Sequence, residues 1–145
     1  MKVAYPVIFT DTKSNILIEV PDLNILTESN EEGEQKGTIA DAIMMARDAI
    51  GVYCIEMEDD ETEIASASDI LDIDIADGAF YGEGTVTLSL VDVDLVSYRR
   101  MIDNRTVRRN VTLPNWLNME AEKAHLNVSK VLQEALMAKL KVRPR

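Results

Sequence analysis

Cysteine is almost absent: Cys54 is the only one in 145 residues. One thiol closes no internal disulfide and builds no thiolate zinc site, so small secreted scaffolds and zinc fingers are excluded. Histidine is equally scarce, with His125 alone, and aromatic residues make up 5%. With no imidazole near it in sequence, Cys54 reads as a small buried apolar residue and not as a nucleophile. Long hydrophobic runs are missing too. The oiliest stretch is interrupted by Asp41, Arg47 and Asp48, and Met1 to Pro6 has no apolar segment of the signal-peptide kind. The expectation is a soluble chain in a reducing, cytoplasmic compartment, with no membrane partner.

What is present is an ordinary apolar fraction, 46%, enough for a packed core. The length suits one domain, at roughly 100–200 residues each, or two small ones. The net charge of −11 argues against nucleic acid when taken as a sum, but it conceals two opposed halves. Residues 1–97 hold 4 Lys/Arg against 22 Asp/Glu, net −18, whereas residues 98–145 hold 11 against 4, net +7. Such asymmetry points to an acidic module joined to a basic one, each with its own class of partner. The plainer alternative is that the halves simply attract each other. The expected division is an acidic domain over 1–97, a linker over 98–104 and a basic domain over 105–145.

In the acidic half, the β-branched and aromatic runs at 3–10 and 16–20 flank Asp11-Thr12-Lys13-Ser14-Asn15 and predict a hairpin. Pro6 lacks a ladder donor, so this strand is expected at an edge or starting after it. Pro21-Asp22 turns the chain into a short strand at 24–27, and 28–37 is a loop. Thr38 with Asp41 three residues on forms a capping box. Ile39, Ile43, Ala46, Ile50, Tyr53 and Met57 follow in steps of 4 and 3, the stripe of a helix lying on a sheet. A further strand is predicted at 85–93.

The carboxylates raise metal chemistry. Asp72-Ile-Asp74-Ile-Ala-Asp77-Gly78 resembles a calcium loop, but its third Asp and its Gly are off by one, and an EF-hand also needs a Glu at the loop's end and two flanking helices. Asp11, Glu19, Glu56 and Asp92 would need to converge to form a two-metal nuclease centre, and spacing alone does not bring them together. The acids read better as a solvated surface, with no metal, no cofactor and no catalysis expected.

In the basic half, 105–113 alternates. Val107, Val111 and Leu113 share one face, and Arg108, Asn110 and Thr112 share the other. Pro114 suits the first position of a helix, and Leu117, Ala121 and Ala124 give that helix an apolar face. The pattern breaks at Leu126-Asn127-Val128-Ser129, where Asn127 can take the left-handed conformation and Ser129 can cap the next helix. His125 reads as a helix-end cap. Leu132, Ala135, Leu136 and Leu140 carry the second stripe.

One strand and two short helices cannot bury enough surface alone. A second copy supplies it, with two strands forming an antiparallel ribbon and Val111, Leu113, Leu117, Leu132 and Leu136 in the shared core. Arg108, Asn110 and Thr112 would then face the major groove, where Arg reads guanine and Asn reads adenine. Ser129 and Lys130 at the second helix start would hold phosphate. The alternative is that the arginines only solubilise a strand edge.

Arg108-Arg109-Asn110-Val111-Thr112-Leu113-Pro114, with Leu126-Asn127-Val128-Ser129-Lys130-Val131-Leu132-Gln133-Glu134-Ala135-Leu136 twelve residues on, resembles a ribbon-helix-helix DNA-binding domain. Asn127 stands where Gly is frequent and Lys130 where Arg is. Tyr5-Pro6-Val7-Ile8-Phe9, Ile18-Glu19-Val20-Pro21-Asp22-Leu23 and the helix from Ala40 to Gly51 resemble the HicB antitoxin family. Asp59 to Gly84 is the least typical segment. The resemblance implies an α+β chain: a partial RNase H-like domain without the nuclease's catalytic set, then the ribbon-helix-helix domain. It further implies inhibition of a small mRNA-cleaving toxin, HicA, and repression of the antitoxin's own operon by a homodimer or a higher assembly with toxin. An acidic chain suits such a partner, because an RNA-binding toxin is expected to be basic. Two other functions remain open on the residues alone: a metal-dependent RNase H-like nuclease, and a ligand-sensing repressor with no toxin partner.

Overall fold

The computed structural model describes residues 1–29, 35–103 and 105–142. It separates into two compact units, Met1–Asp103 and Asn104–Arg145. By sequence, the first holds 6 Lys/Arg against 23 Asp/Glu and the second 9 against 3, so the structural division keeps the charge asymmetry.

In the first unit, β1 (Lys2–Asp11), β2 (Ile16–Val20) and β3 (Ile25–Glu28) are followed by α1 (Ile39–Asp59), β4 (Thr85–Asp94) and α2 (Leu95–Ile102). The sheet is antiparallel in the order β3-β2-β1-β4. The predicted hairpin, third strand, long helix and fourth strand are all present, with ends shifted by a residue or so. Of the loop predicted at 28–37, residues 30–34 lie outside the described residues.

β1 is an interior strand, contrary to the edge position that Pro6 suggested. The amide of Leu95 donates to Met1 O at 3.0 Å, so in this register odd residues of β1 exchange hydrogen bonds with β4 and even residues turn their main chain away. On the other side, the β2 ladder ends at Ile8↔Glu19, and the chain beyond it opens a 3-10 turn at Pro21. Pro6 thus occupies a locally unpaired side of a central strand, where no donor is needed.

One sheet face, with Tyr5, Val7, Phe9, Ile16, Ile18, Val20, Val91 and Val93, packs against α1. The centre of the α1 stripe is Ala42, Ala46, Ile50 and Cys54, an i, i+4 series, all fully buried. The larger Ile43 and Tyr53 lie at its margins, and Ile39 is exposed. Small residues at the centre let the helix approach the sheet, which is why the buried line is rotated from the one the largest side chains suggested. Cys54 lies within that line, and burial pushes its thiol above the ordinary value, which keeps it protonated.

Residues 95–102, largely assigned to a linker by sequence, form α2. Asp94 caps it through Val96 N and Ser97 N, and Leu95 and Tyr98 are buried in the core. Eight residues with two inward side chains are too short for a periodicity signal, and Asp94 closes the preceding strand while capping the helix.

The acidic segment after α1 is anchored to this unit. Tyr5 Oη donates to Ala65 O at 2.5 Å, Ser68 bonds Asp22 through both its amide and its hydroxyl, and Ala79 N donates to Glu19 at 2.9 Å. Two 3-10 turns, Ile70–Asp72 and Ile75–Asp77, lie along it.

The second unit holds a stretch without regular secondary structure up to Pro114, then α3 (Asn115–Lys123) and α4 (Val128–Leu140). Among the described residues of the single chain, 105–113 carries no regular secondary structure and is not a strand. No neighbouring strand accompanies it, and an unaccompanied segment has no ladder to join.

Candidate functional site

In the second unit the segment before α3 and α4 enclose a groove of about 730 Å³, lined by Thr106, Val107, Arg108, Arg109, Ser129, Leu132, Gln133 and Leu136. It brings Arg108 together with Ser129. Asn110, Thr112 and Lys130 are exposed and lie outside this lining. Asn127, not Ser129, caps α4: its Oδ1 accepts Lys130 N at 3.1 Å. Asn and Ser cap equally well, so the helix starts at the first competent residue. The left-handed residue between the helices is His125, at φ 54°, and not Asn127. Its amide closes the end of α3 on Glu122 O at 3.1 Å, which makes it a helix-end residue.

No described residue of the second unit is buried. Val111 is 49% exposed, Leu113 41%, Leu117 40%, Leu132 37% and Leu136 52%. Trp116, Val128, Val131 and Leu140 add to the exposed apolar surface. Two amphipathic helices with their apolar residues in water form the kind of surface that marks an interaction site.

In the first unit the carboxylates engage their own neighbours. Asp11 pairs with Lys36, Asp92 with Arg47 at 3.1 Å, and Arg99 with both Glu58 and Asp59. Asp69 and Asp74 accept the amides of Leu71 and Ala76, so the calcium-like stretch folds as capped 3-10 turns. Asp11, Glu19, Glu56 and Asp92 are not gathered; among the described residues no group of three or more His, Cys, Asp or Glu is arranged to hold a metal ion. Sequence reasoning missed a groove of about 450 Å³ beside α1 and α2, lined by Asp41, Met44, Met45, Arg47, Asp48, Tyr98 and Met101. Its only advance signal was Met44-Met45 next to a polar pair. Among the described residues, no helix is long and apolar enough to cross a membrane.

An acidic, sheet-bearing unit followed by a basic, helical one with an uncovered apolar face defines a chain built for association. Residues 5–137 match the family model described as the HicB-like antitoxin of bacterial toxin–antitoxin systems, and the chain belongs to that family. A chain of a toxin–antitoxin complex from Streptococcus pneumoniae has the same fold, with a TM-score of 0.57 and 22% identity over 96% of this chain and 99% of that one. The antitoxin HicB of Burkholderia pseudomallei aligns at a TM-score of 0.48, with 22% identity over 95% of this chain and 98% of its own. No curated protein matches the chain.

Proposed function

We propose that this chain is the antitoxin of a type II pair: its first unit binds and inhibits a HicA-type mRNA-cleaving toxin, and its second unit, as a homodimer, binds operator DNA and represses the operon. The observation that carries the reading is the second unit's surface, on which Val111, Leu113, Leu117, Leu132 and Leu136 all stand exposed in a single copy. A second copy buries them together and gives the 105–113 segment its missing partner strand, which is the architecture of a ribbon-helix-helix domain. Arg108, Asn110 and Thr112 then meet base edges, and Ser129 and Lys130 meet phosphate. The first unit, read as a partial RNase H-like domain, carries the negative charge that attracts a basic RNA-binding partner. The S. pneumoniae relative is part of a toxin–antitoxin complex, which fits this reading.

The test is rescue of cells expressing the neighbouring toxin gene, together with an operator mobility shift. Residues 1–103 should restore growth at least partly and fail to shift DNA; 104–145 should do the reverse. The cut belongs at 103, because one at 97 removes Tyr98 from the core. Rescue by 104–145 alone would place the toxin site on the basic unit and overturn the division. A ligand-sensing repressor predicts no toxin gene nearby and a small molecule in the Met44–Tyr98 groove.

A further inference from the structure

The acidic segment after α1 lies on the sheet face turned away from that helix. Even-numbered residues of β1 and β4 share this face, with Ile8 opposite Leu88 and Pro6 opposite Leu90. Pro6 and Ile8 are buried all the same. Gly78 passes over Ile8, since a Cβ on it would lie 3.5 Å from Ile8 Cδ1. The turn Ile70–Asp72 lies against β4, and Ala79 N is tied to Glu19 of β2 at 2.9 Å. The segment is thus a strap across the outer face, pinned also at Ala65 and Ser68, with its turns capped by Asp69 and Asp74. A strap so held has its shape before any partner arrives, which lowers the ordering cost of binding. Its outward side carries two features. Residues 59–84 hold nine Asp/Glu and no Lys, Arg or His. Among the described residues, no hydrogen bond or ion pair meets the carboxylates of Asp72, Asp77 or Glu83, whereas Asp11, Glu58 and Asp92 elsewhere in the unit have cations. Large apolar side chains stand among these acids in water: Leu71 is 88% exposed and Tyr81 61%, and Leu90 of β4 is 55%. A single exposed leucine is ordinary. One held out from an anchored turn, with carboxylates around it, has the form of an apolar anchor inside a charged rim.

We infer that this strap is the surface on which the basic toxin docks: Leu71 enters an apolar recess of the toxin, and Asp72, Asp77 and Glu83 meet its Lys and Arg side chains. The inference rests on the reading that the first unit binds such a toxin, and it names the part of the unit that does so. The sign of the charge selects the occupant. A second first unit would bring another nine carboxylates to the same place, and DNA, RNA and an anionic membrane carry that sign too, so all are repelled. The chain's own basic unit has the right sign, but on the same reading its Arg108 and Lys130 are committed to DNA. The two features of the strap divide the work. Unpaired carboxylates draw the toxin in and orient it, an effect that salt screens. The leucine, once it is out of water, slows departure and gives the complex its lifetime.

The experiment follows binding of the small basic protein encoded beside this chain, in a catalytically inactive form, to full-length variants by biolayer interferometry at several salt concentrations. Leu71→Ala should weaken binding at least about tenfold, mainly through faster dissociation, which is the scale set by burying a side chain of that size. Asp72→Asn with Asp77→Asn should slow association at low salt and flatten the salt dependence. Met44→Ser, in the groove beside α1 and α2, should change neither. The urea transition of the first unit should stay in place in all three, because every altered side chain is exposed. Toxin binding that survives the strap variants, or that falls with Met44→Ser alone, overturns the docking surface and leaves the toxin reading standing. No binding by the unaltered chain overturns both. Hydrogen exchange on the unaltered chain gives an independent readout: the amides of 70–77 should slow at least about fivefold when the toxin is added. No slowing overturns the docking surface. Protection that is present without toxin and is removed by high salt assigns the strap to the chain's own basic unit, and overturns it as well.

Discussion

Gly51 of α1 lies flat against the ring of Tyr98 of α2, so close that a Cβ on Gly51 would come within 2.8 Å of three ring carbons. The Tyr98 hydroxyl donates to Asp48 Oδ1 at 2.7 Å, one turn back along α1. Burial, and then the Asp48 carboxylate, push the phenol well above its ordinary range, so it remains a donor at any working pH. A glycine inside a 21-residue helix is costly on propensity alone; here it makes room for the ring that docks α2.

Gly51→Ala should therefore destabilise the first unit, although alanine is the better helix former by about 1 kcal/mol. Forcing a methyl group into a filled contact costs about 1–3 kcal/mol, and the ring, tethered through its hydroxyl, has little space to retreat. The urea midpoint of the full chain's first-unit transition should fall. In a Tyr98→Ala background the same substitution should raise it, because only the propensity gain remains. The same sign in both backgrounds would mean that the ring does not press on Gly51 in solution.

The start of α1 makes a second prediction, this time in pH. Thr38 Oγ1 accepts Asp41 N at 3.2 Å, and Asp41 Oδ2 accepts Thr38 N at 2.7 Å. The amide and then the hydroxyl of Thr38 hold the Asp41 carboxyl below its ordinary value of 3.8. The unfolded chain then binds this proton more readily than the folded one, so the contribution is complete above the unfolded value and is lost as pH falls through the lower folded value. Asp94, held down first by the Ser97 amide, acts in the same direction. Asp41→Asn should flatten the acid limb of stability against pH, measured by urea titration below about pH 5. Thr38→Ala should cost about 1 kcal/mol at neutral pH. An unchanged acid limb in Asp41→Asn would show that the box does not persist in solution.

What the sequence makes legible divides along physical lines. Strands and the long helix are readable because their side chains alternate or step by 4 and 3, and the capping box is readable because two residue types at one spacing carry it. Pro6 misleads because a proline reports a missing donor, and whether that donor is needed depends on where the neighbouring strand stops. The largest side chains of α1 suggest one stripe, yet Ala42, Ala46 and Cys54 occupy its centre, since closeness of approach is a property of the pair of elements. α2 is hidden by brevity. The cap of α4 falls two residues before the expected Ser129, at Asn127, because both types suit the position. The proposed ribbon is not seen in one chain, since its partner strand would come from a second copy.

If two copies share the apolar surface of the second unit, Leu132→Glu or Leu136→Glu should break the pair. Each places a carboxylate where an uncharged side chain meets its counterpart, and burying an unpaired charge costs several kcal/mol. Sedimentation should show loss of the C-terminal dimer, and operator affinity should drop at least about a hundredfold, the equivalent of about 2.8 kcal/mol. The urea transition of the first unit should not move. Undiminished dimerisation in both variants would mean that these leucines face solvent in the assembly too.

Reading and holding should separate in the last pair of variants. Asn110 stands two residues from Arg108 and from Thr112 in the segment before α3, so if that segment joins a ribbon all three side chains leave the same face. Asn110→Ala should cost about 1–3 kcal/mol on operator DNA and relax preference at one base pair per half-site, because an amide that spans two groups of adenine distinguishes it from other bases. Lys130 sits at the start of α4, where its amide is already engaged by Asn127 and its ammonium is exposed. A phosphate contact carries no base information, so Lys130→Ala should weaken operator and random DNA alike and reduce the salt slope by about one for each phosphate left unneutralised. Titrations of both variants on both DNAs at several salt concentrations give the answer. If Asn110→Ala lost specific and nonspecific binding in equal proportion, the 105–113 face would be holding the backbone, and base reading would have to lie elsewhere in the basic unit.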